Sequence, residues 1–354
     1  MRRAVVIVLA VVIALGLAAW LATFSPAVDV WVYKQLAIRG ASGADAQLAS
    51  PGELSVLLVG TGSPLPDRSR AGPSTLIAAG DSYYVVDTGL DSVRNLMLWH
   101  VRLDKVAGVF ITHLHSDHIP ELGELRLQTW VAGRRTPLKV YGPPGIERVV
   151  AGFNEVYALD SGYRTAHHGA KFLPPEAADL VAVVVQPDAT ALEADGLKVR
   201  AILVDHGPVK PAYGYRFDYN GRSVTVSGDT SKDENLAHAA ANTDVLVHEA
   251  LSPELVGLLG DALTQAGRPR AAKIMHDIPG YHTSPVDAAR IANEAHAKLL
   301  VYTHLLPILP NTIAERAFLR GVPDVRGDGV VLGHDGLLIK LPPHSDAIEQ
   351  SALY

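Results

Sequence analysis

A short histidine-rich segment constrains this chain more than any other feature of its sequence. Directly after the apolar run 106–111, three histidines and one aspartate lie within six residues, as His113, His115, Asp117 and His118. In an extended backbone, residues two positions apart project from the same face, so His113 and His115 can bind one metal ion together. Asp117 and His118 follow where the chain turns, and they can hold a second ion. The segment therefore predicts a metal centre at the end of a strand.

Such a centre needs further ligands, and three other apolar runs end in suitable residues. His206, Asp229 and His304 each come just after or at the end of a run that reads as a strand. Strand ends can converge at one edge of a sheet, which would bring these side chains to the histidine-rich segment. The chain has no cysteine, so a zinc site would have to use His, Asp, Glu and water.

The pattern from residue 53 onward predicts an α/β fold. Short apolar runs read as strands and alternate with helical stretches in both halves. The early strands form a hairpin-like group, which favours two mixed sheets with helices outside over a regular doubly wound sheet. Residues 160–195 show the least regular pattern, and we predict that they form a substrate-facing insertion.

The N-terminus has the composition of a membrane span. Arg2 and Arg3 precede an uncharged, largely apolar stretch over residues 4–24, and about 20 such residues in a helix cross a bilayer. We expect a retained anchor or signal sequence over 1–27, with a cleaved signal and a buried core helix as alternatives. An interfacial segment and linker would follow over 28–52, and a catalytic domain over 53–345. The arginines predict a cytoplasmic N-terminus and an extracytoplasmic, periplasmic catalytic domain in the cell membrane.

The histidine-rich segment resembles the His-x-His-x-Asp-His motif of the metallo-β-lactamase fold, which implies an αββα sandwich of two mixed sheets with outer helices. Further motifs, in the same order, resemble the ribonuclease Z branch of that superfamily, and together they cover roughly residues 53 to 341. Exported relatives of the arylsulfatase and alkylsulfatase kinds are similar as well. The motifs are Gly60–Pro64, Asp87–Gly89, His206 with Tyr213–Arg216, Gly228–Thr230, His248–Ala250, His282–Ser284 and Thr303–His304.

The resemblance implies a ligand set for two Zn²⁺ ions, with Mn²⁺ or Fe²⁺ as alternatives. One ion would bind His113, His115 and His206. The second would bind Asp117, His118 and His304, and Asp229 would bridge the two. Asp87 would orient the histidine-rich loop by accepting a hydrogen bond.

The resemblance also implies catalytic residues beside the metals. Asp117 and His282 would take part in catalysis, the latter as a general acid or a donor to a developing negative charge. Glu249 and His248 would support His282 or a ligand. Arg164, His167 and His168 lie in the irregular region, where they are either surface residues or contacts to an anionic substrate.

The expected substrate follows from export and charge. A formal net charge of −6 argues against broad electrostatic binding of nucleic acid, and residues 160–195 lack a basic, Gly/Pro-rich arm. We therefore expect a membrane-tethered binuclear zinc hydrolase that cleaves small anionic esters with a metal-bridging hydroxide, in the manner of an arylsulfatase or phosphodiesterase. Nucleic acid is not expected as a partner. The main alternative is a ribonuclease Z-type tRNA 3′-processing endonuclease. A lactonase and an inactive binding protein are further alternatives, and the family also implies a homodimer.

Overall fold

The computed structural model describes residues 2–41 and 44–353. The chain divides into two compact units, Met1–Asp45 and Ala46–Tyr354. The second unit begins before the predicted start at residue 53, because Leu48 is fully buried in the core of the domain. Residues that we expected in a linker therefore belong to the folded domain.

The N-terminal unit contains two helices, α1 (Arg2–Ala22) and α2 (Pro26–Ala41). By length and composition, α1 could cross a membrane, and none of its apolar window is buried. This exposure does not fit a buried core helix. An N-terminal signal sequence can also be a long apolar helix of this kind.

The domain is built from strands that form two sheets and from helices that cover them. The strands are β1 (Leu54–Gly60), β2 (Ser74–Ala79), β3 (Ser82–Val86), β4 (Val106–Phe110), β5 (Leu138–Gly142), β6 (Leu180–Val184), β7 (Thr190–Ala194), β8 (Leu197–His206), β9 (Val209–Tyr219), β10 (Arg222–Val226), β11 (Val245–Leu251), β12 (Leu299–Leu306), β13 (Val330–Leu332), β14 (Leu337–Leu341) and β15 (Glu349–Ala352). The helices are α3 (Ser92–Leu98), α4 (Leu122–Val131), α5 (Ile146–His168), α6 (Glu234–Ala239), α7 (Pro253–Gln265), α8 (Pro269–Asp277), α9 (Pro285–Glu294), α10 (Thr312–Phe318) and α11 (Val322–Val325).

The sheet order confirms the predicted fold class. Within residues 44–353, one sheet has eight strands in the order β15-β14-β1-β2-β3-β4-β5-β6, and the other has seven in the order β13-β12-β11-β10-β9-β8-β7. Both sheets are mixed. In the first, β1, β2 and β3 pair antiparallel whereas β3, β4, β5 and β6 pair parallel. In the second, β9 and β10 pair antiparallel whereas β10, β11 and β12 pair parallel. The architecture is a sandwich of two mixed sheets with helices outside.

Aromatic side chains between the sheets hold the strand that leads into the metal segment. The ring of Phe110, at the end of β4, stacks on Tyr141 with centroids 4.7 Å apart and meets Phe217 edge-on at 5.4 Å. Two backbone carbonyls just beyond β4 are held by the opposite sheet. The Tyr215 hydroxyl donates to the carbonyl of Ile111 at 2.9 Å, and the amide of Tyr213 donates to that of Thr112 at 2.9 Å. The core thereby fixes the start of the metal segment.

The structure corrects the predicted irregular insertion over 160–195. Helix α5 continues to His168, so Arg164, His167 and His168 lie on a helix and not in a loop. Arg126 supports this extension, because its guanidinium donates to the Ser161 hydroxyl at 2.9 Å. The rest of the region contains a short 3₁₀ turn and the strands β6 and β7.

The sequence patterns also missed elements near the end of the domain. The helices α7 and α8 form a hairpin between β11 and α9. Strand β15 pairs antiparallel with β14, so the folded domain extends beyond the predicted boundary at residue 345.

Candidate metal centre

The seven predicted ligands meet at one edge of the sandwich. Among the described residues, five groups have ligand atoms within 4.8 Å of one another, and three consist only of predicted ligands: His113 with His115 and His206; Asp117 with His118 and His304; and His113 with His118 and Asp229. The other two include His282, one with His206 and Asp229 and one with Glu249 and His304. The first two groups are the two sets implied by the sequence resemblance. The third joins them, because Oδ2 of Asp229 lies 3.9 Å from Nε2 of His113 and 3.3 Å from Nε2 of both His118 and His304.

Local backbone geometry places the two ligands that come latest in the chain. Asp229 follows Gly228, whose φ is +61° and whose Cβ, if present, would lie 2.3 Å from the carbonyl oxygen of Tyr213. Only glycine fits this turn. His304 lies at a β-bulge: Glu249 pairs with Thr303 and Ala250 with Leu305, so His304 is skipped in the register and has a φ of 46°. A bulge re-aims a side chain, and here it turns the imidazole toward Asp229.

The donor set fits metal cations. His113 Nε2 and His115 Nδ1 approach to 2.9 Å, and His206 Nε2 lies 3.4 Å from the same His115 atom. Nε2 of His118 is buried and has no hydrogen-bond partner among the described residues. A buried polar nitrogen without a partner is costly. Imidazole nitrogens and carboxylate oxygens that converge in this way are the ligand types that Zn²⁺ binds.

Neighbouring groups hold the ligand rings in place. Oδ2 of Asp87 lies 2.8 Å from Nδ1 of His118, and the same carboxylate accepts hydrogen bonds from the amide and hydroxyl of Thr112 at 2.9 and 2.8 Å. Nδ1 of His206 lies 2.9 Å from the carbonyl oxygen of Tyr281. In each case a hydrogen bond at Nδ1 leaves Nε2 free for a metal. Asp87 therefore has the orienting position that the sequence resemblance implied.

Electrostatics keep the carboxylates of the centre ionised. Burial works against ionisation of Asp229, but His304 and His118 outweigh it and hold the pKa of this carboxyl well below its usual range. Burial also opposes ionisation of Asp117, yet a hydrogen bond with His304 and the charge of His118 lower its pKa to about 2. Burial lowers the pKa of His113, which favours the neutral imidazole that binds metal.

His282 and Glu249 form a buried pair beside the ligands. Nδ1 of His282 lies 3.0 Å from Oε1 of Glu249, and the side chains are 6% and 1% exposed. Oε1 also accepts hydrogen bonds from the amides of Thr230 and Thr283, both at 3.1 Å. Burial opposes protonation of His282, but the charge of Glu249 and its hydrogen bond raise the pKa of the imidazole to about 9. Glu249 thus favours the protonated form of the His282 imidazole.

His248 lies behind the centre and not in it. Successive residues of a strand face opposite sides, so His248 and Glu249 on β11 point in opposite directions. The His248 side chain is fully buried, and its Nδ1 lies 2.7 Å from the carbonyl oxygen of Glu249. It belongs to none of the metal-compatible groups among the described residues.

The residues predicted to contact substrate lie outside these groups as well. Arg164 pairs with Asp160 one helical turn away, with Nε and Oδ2 2.7 Å apart. His167 and His168 are exposed in the last turn of α5. Neither the metal-compatible groups nor the His282–Glu249 pair includes any of the three in the part of the chain that the structure describes.

Two features of the site were not anticipated from the sequence. A cleft of about 390 Å³ borders Asp117 and is lined by Leu65, Arg70 and Leu90 among others. Its floor is tied down by Asp335, which accepts hydrogen bonds from the amides of Thr61 and Ala71 at 2.9 and 2.6 Å. The role of Asp335 could not be predicted from its sequence neighbours, because Thr61 and Ala71 precede it by 274 and 264 residues.

Comparisons with known proteins agree with this geometry. A family model described as a β-lactamase superfamily domain matches residues 83–305, a range that contains all seven predicted ligands. A protein named ribonuclease Z from Mycobacterium bovis is 38% identical over 72% of this chain and 87% of its own length. Another ribonuclease Z, from Mycobacterium marinum, is 36% identical over 72% of this chain and 88% of its own length.

Solved structures show the same fold. The metallo-β-lactamase fold protein YhfI from Bacillus subtilis matches with a TM-score of 0.60 and 21% identity, over 81% of this chain and 99% of that one. The short form of human tRNase Z matches with a TM-score of 0.57 and 21% identity, also over 81% and 99%.

These relatives overturn the expected substrate. We expected small anionic esters, in the manner of an arylsulfatase or phosphodiesterase, and no nucleic acid partner. The similarity to proteins named ribonuclease Z over most of this chain contradicts both expectations. The expectation failed because we inferred the substrate class from the N-terminal segment and from the absence of a basic arm. Neither feature is part of the chemistry of the site. Family and site together show that the chain belongs to the metallo-β-lactamase superfamily, in its ribonuclease Z-like branch, and is a metal-dependent hydrolase.

Proposed function

We propose that this protein is a ribonuclease Z-type endonuclease that cleaves a phosphodiester bond of precursor tRNA at the 3′ end of the mature tRNA. The observation that supports this most strongly is the 38% identity to a ribonuclease Z over 87% of that relative's length. A match of this extent covers a whole catalytic domain and not a shared motif alone.

The proposal includes two Zn²⁺ ions. His113, His115 and His206 would hold one, Asp117, His118 and His304 would hold the other, and Asp229 would contact both, in keeping with the central position of its Oδ2 atom. When bound, such a pair supplies Lewis acidity and lowers the pKa of a water molecule into the neutral range.

The protein's own residues would orient the substrate and move a proton. His282 has its Nδ1 engaged by Glu249, which leaves Nε2 free for the substrate. As the bond between phosphorus and the leaving oxygen breaks, Nε2 donates its proton to that oxygen. Glu249 keeps the ring in position and favours its charged form, and Thr230 and Thr283 fix the Glu249 carboxylate through their amides.

We also propose that α1 attaches the protein to the cell membrane. The helix is long and apolar enough to span a bilayer, but Arg2 and Arg3 favour an extracytoplasmic domain whereas precursor tRNA is cytoplasmic. The RNA substrate therefore requires the orientation opposite to the one that the arginines favour. A reporter fused after Tyr354 tests this point: activity of a cytoplasm-specific reporter supports access to tRNA, and activity of a periplasm-specific reporter excludes tRNA as the cellular substrate.

Cleavage of a precursor tRNA by the full-length protein is the direct test of function. The matched control is Asp229→Ala, which removes the carboxylate shared by the two groups of ligands. Cleavage by the parent protein and its loss in the variant would support the proposal. Hydrolysis of small diesters without any cleavage of precursor tRNA would contradict it.

A further inference from the structure

A cavity of about 730 Å³ has none of the predicted metal ligands, and neither His282 nor Glu249, in its lining. It lies where the turn before α5, the link between β6 and β7, the end of β8, the start of β9 and the start of α6 come together. Its volume is in the range that binds drug-sized ligands. The β6–β7 link lies within residues 160–195, which we predicted to face the substrate, although none of the quoted motifs includes it.

The walls of this cavity suit a flat, uncharged ring. Most of the exposed lining is apolar, and Pro144, Pro187 and Pro211 contribute to it from three different elements. Leu203 on β8 is another wall residue, and its side chain is 38% exposed. Proline and leucine side chains offer apolar surface to the face of a nucleobase, and such contact is non-directional, so it does not select one base over another.

Hydrogen bonds within the wall make the cavity rigid. Oδ1 of Asp188 accepts from the amide of Leu203 at 2.9 Å and from the side-chain amide of Asn235 at 3.1 Å. The same Asn235 amide donates to the carbonyl oxygen of Leu203 at 2.8 Å. Oδ2 of Asp233 accepts from the amide of Asp205 at 2.9 Å. These bonds join the β6–β7 link, β8 and the start of α6 to one another within the protein itself.

The charges of the lining decide which part of an RNA can enter. Asp188, Asp205 and Asp233 outnumber Lys210 as charged residues of the cavity, so a phosphate group would be repelled. Oδ2 of Asp188 makes no hydrogen bond to another residue in the ranges 2–41 and 44–353, and it can accept one from an exocyclic amine. Adenine, cytosine and guanine carry such an amine, and uracil does not.

Two elements of the cavity wall adjoin elements that carry predicted metal ligands. Asp205 lines the cavity, and the next residue of β8 is His206, whose side chain points to the opposite face of the strand. On the other side, the turn before α5 approaches the histidine-rich segment, because a Cβ at Gly145 would lie 2.9 Å from Cδ1 of Leu114. A chain whose phosphate lies at the metals can therefore place an adjoining nucleotide here.

We propose that this cavity is a nucleobase subsite that binds an amine-bearing base of the RNA next to the scissile phosphate. The subsite rests on the proposed function and adds to it, since it assigns a place for a base and a preference among bases. Its walls provide stacking surface, and Asp188 provides the acceptor that distinguishes an amine from a carbonyl.

The experiment uses the full-length protein in detergent and two variants. Leu203→Trp fills the cavity from a partly exposed position, and Leu258→Trp is the matched control, because Leu258 is 60% exposed on α7 and does not line the cavity. Binding of adenosine, cytidine and uridine is measured by titration calorimetry. Turnover of precursor tRNA and of bis(p-nitrophenyl) phosphate, a small diester without a base, is measured on the same preparations.

The subsite predicts that the parent protein binds adenosine or cytidine about tenfold more tightly than uridine, as one hydrogen bond to a charged acceptor allows. Leu203→Trp should abolish this binding and raise KM for RNA about tenfold, with turnover of the small diester unchanged, and Leu258→Trp should behave like the parent. A third variant, Asp188→Asn, keeps an oxygen for Oδ1 and replaces the free acceptor by a donor, so the preference for amine-bearing bases should disappear.

The outcomes separate the subsite from the proposed function. If the parent cleaves RNA and Leu203→Trp leaves both nucleoside binding and KM unchanged, the subsite is wrong and the function stands. If nucleosides bind in a manner that Leu203→Trp abolishes but RNA is not cleaved, the subsite stands and the function is wrong. Absence of nucleoside binding together with an unchanged KM for RNA in Leu203→Trp overturns the subsite.

Discussion

Nδ1 of His282 lies 3.0 Å from Oε1 of Glu249, and this buried pair lies at the edge of the metal-binding cluster without belonging to either set of ligands proposed for the two ions. The arrangement assigns the two halves of hydrolysis to different residues. The His and Asp ligands would hold the metals, and His282 would supply the proton. The predictions below follow from that division.

Replacement of His282 by alanine should leave metal binding intact and slow the reaction. General acid catalysis contributes roughly 10²- to 10⁴-fold to rate, so kcat for precursor tRNA should fall by about that amount. The loss should be smaller for a nitrophenyl diester, whose leaving group needs less protonation. Zinc content measured by mass spectrometry, together with kinetics on both substrates, tests this. A fall in zinc content would show that His282 is a ligand.

Replacement of Asp229 by alanine should remove most of the bound metal and nearly all activity, because Oδ2 of Asp229 lies 3.3 Å from ring nitrogens of both His118 and His304. Asp277→Ala is the matched control, since that carboxylate is exposed and pairs with Lys273 on the same helix. Metal content and activity are measured for both variants. Full activity in Asp229→Ala would show that the centre does not depend on a shared carboxylate.

Replacement of Asp87 by asparagine should weaken metal binding without abolishing it. Asp87 contacts Nδ1 of His118 and the amide of Thr112, and not the ring nitrogen of His118 that faces the centre. Loss of such an orienting contact lowers metal affinity about 10- to 100-fold in other proteins, and we expect a loss in that range for Asp87→Asn. Asp81→Asn, at an exposed carboxylate paired with Lys105, serves as control. Competition with a zinc chelator measures the affinities. Equal affinity in Asp87→Asn and the parent would remove its orienting role.

Asp244 should make stability depend on pH far from the metal centre. Burial opposes its ionisation, but Arg222 and Lys298 hold the pKa of the carboxyl below its usual range. A lowered pKa in the folded state adds stability above the unfolded pKa of about 3.9, and that stability is lost as pH falls through the folded value.

Asp244→Asn should therefore lower the free energy of unfolding by about 3 kcal/mol near neutral pH, as expected for a broken buried ion pair. The difference between variant and parent should shrink as the pH falls below the unfolded pKa of about 3.9. Denaturant unfolding of the metal-free protein at several pH values measures it, with Asp81→Asn as the exposed control. A difference that is the same at every pH would show that the charge of Asp244 does not stabilise the fold.

A cluster of ligand-type residues could be predicted from the sequence because their chemistry is local. His113, His115, Asp117 and His118 follow one strand, and the residue types and spacing alone indicate a metal site. His304 could be predicted as a ligand, but the bulge that aims it depends on pairing with β11 and cannot be read from its own neighbours.

Other features depend on tertiary contacts that no local pattern reports. Helix α5 passes through Ser161 and Gly162, which are poor helix formers, because Arg126 holds Ser161 from α4. The carboxylate of Asp335 joins loops from the other end of the domain. The expected substrate was wrong for a related reason. The N-terminal segment bears on the location of the protein in the cell, whereas the surface around the site determines which substrate binds.

The central claim is that this site cleaves precursor tRNA. The most direct measurement incubates the zinc-loaded full-length protein with a precursor tRNA that carries a 3′ extension and maps both products to the nucleotide, with Asp229→Ala in parallel. We predict one cut at the end of the mature tRNA, made by the parent and absent in the variant. Intact precursor in the presence of a protein that hydrolyses bis(p-nitrophenyl) phosphate would contradict the account.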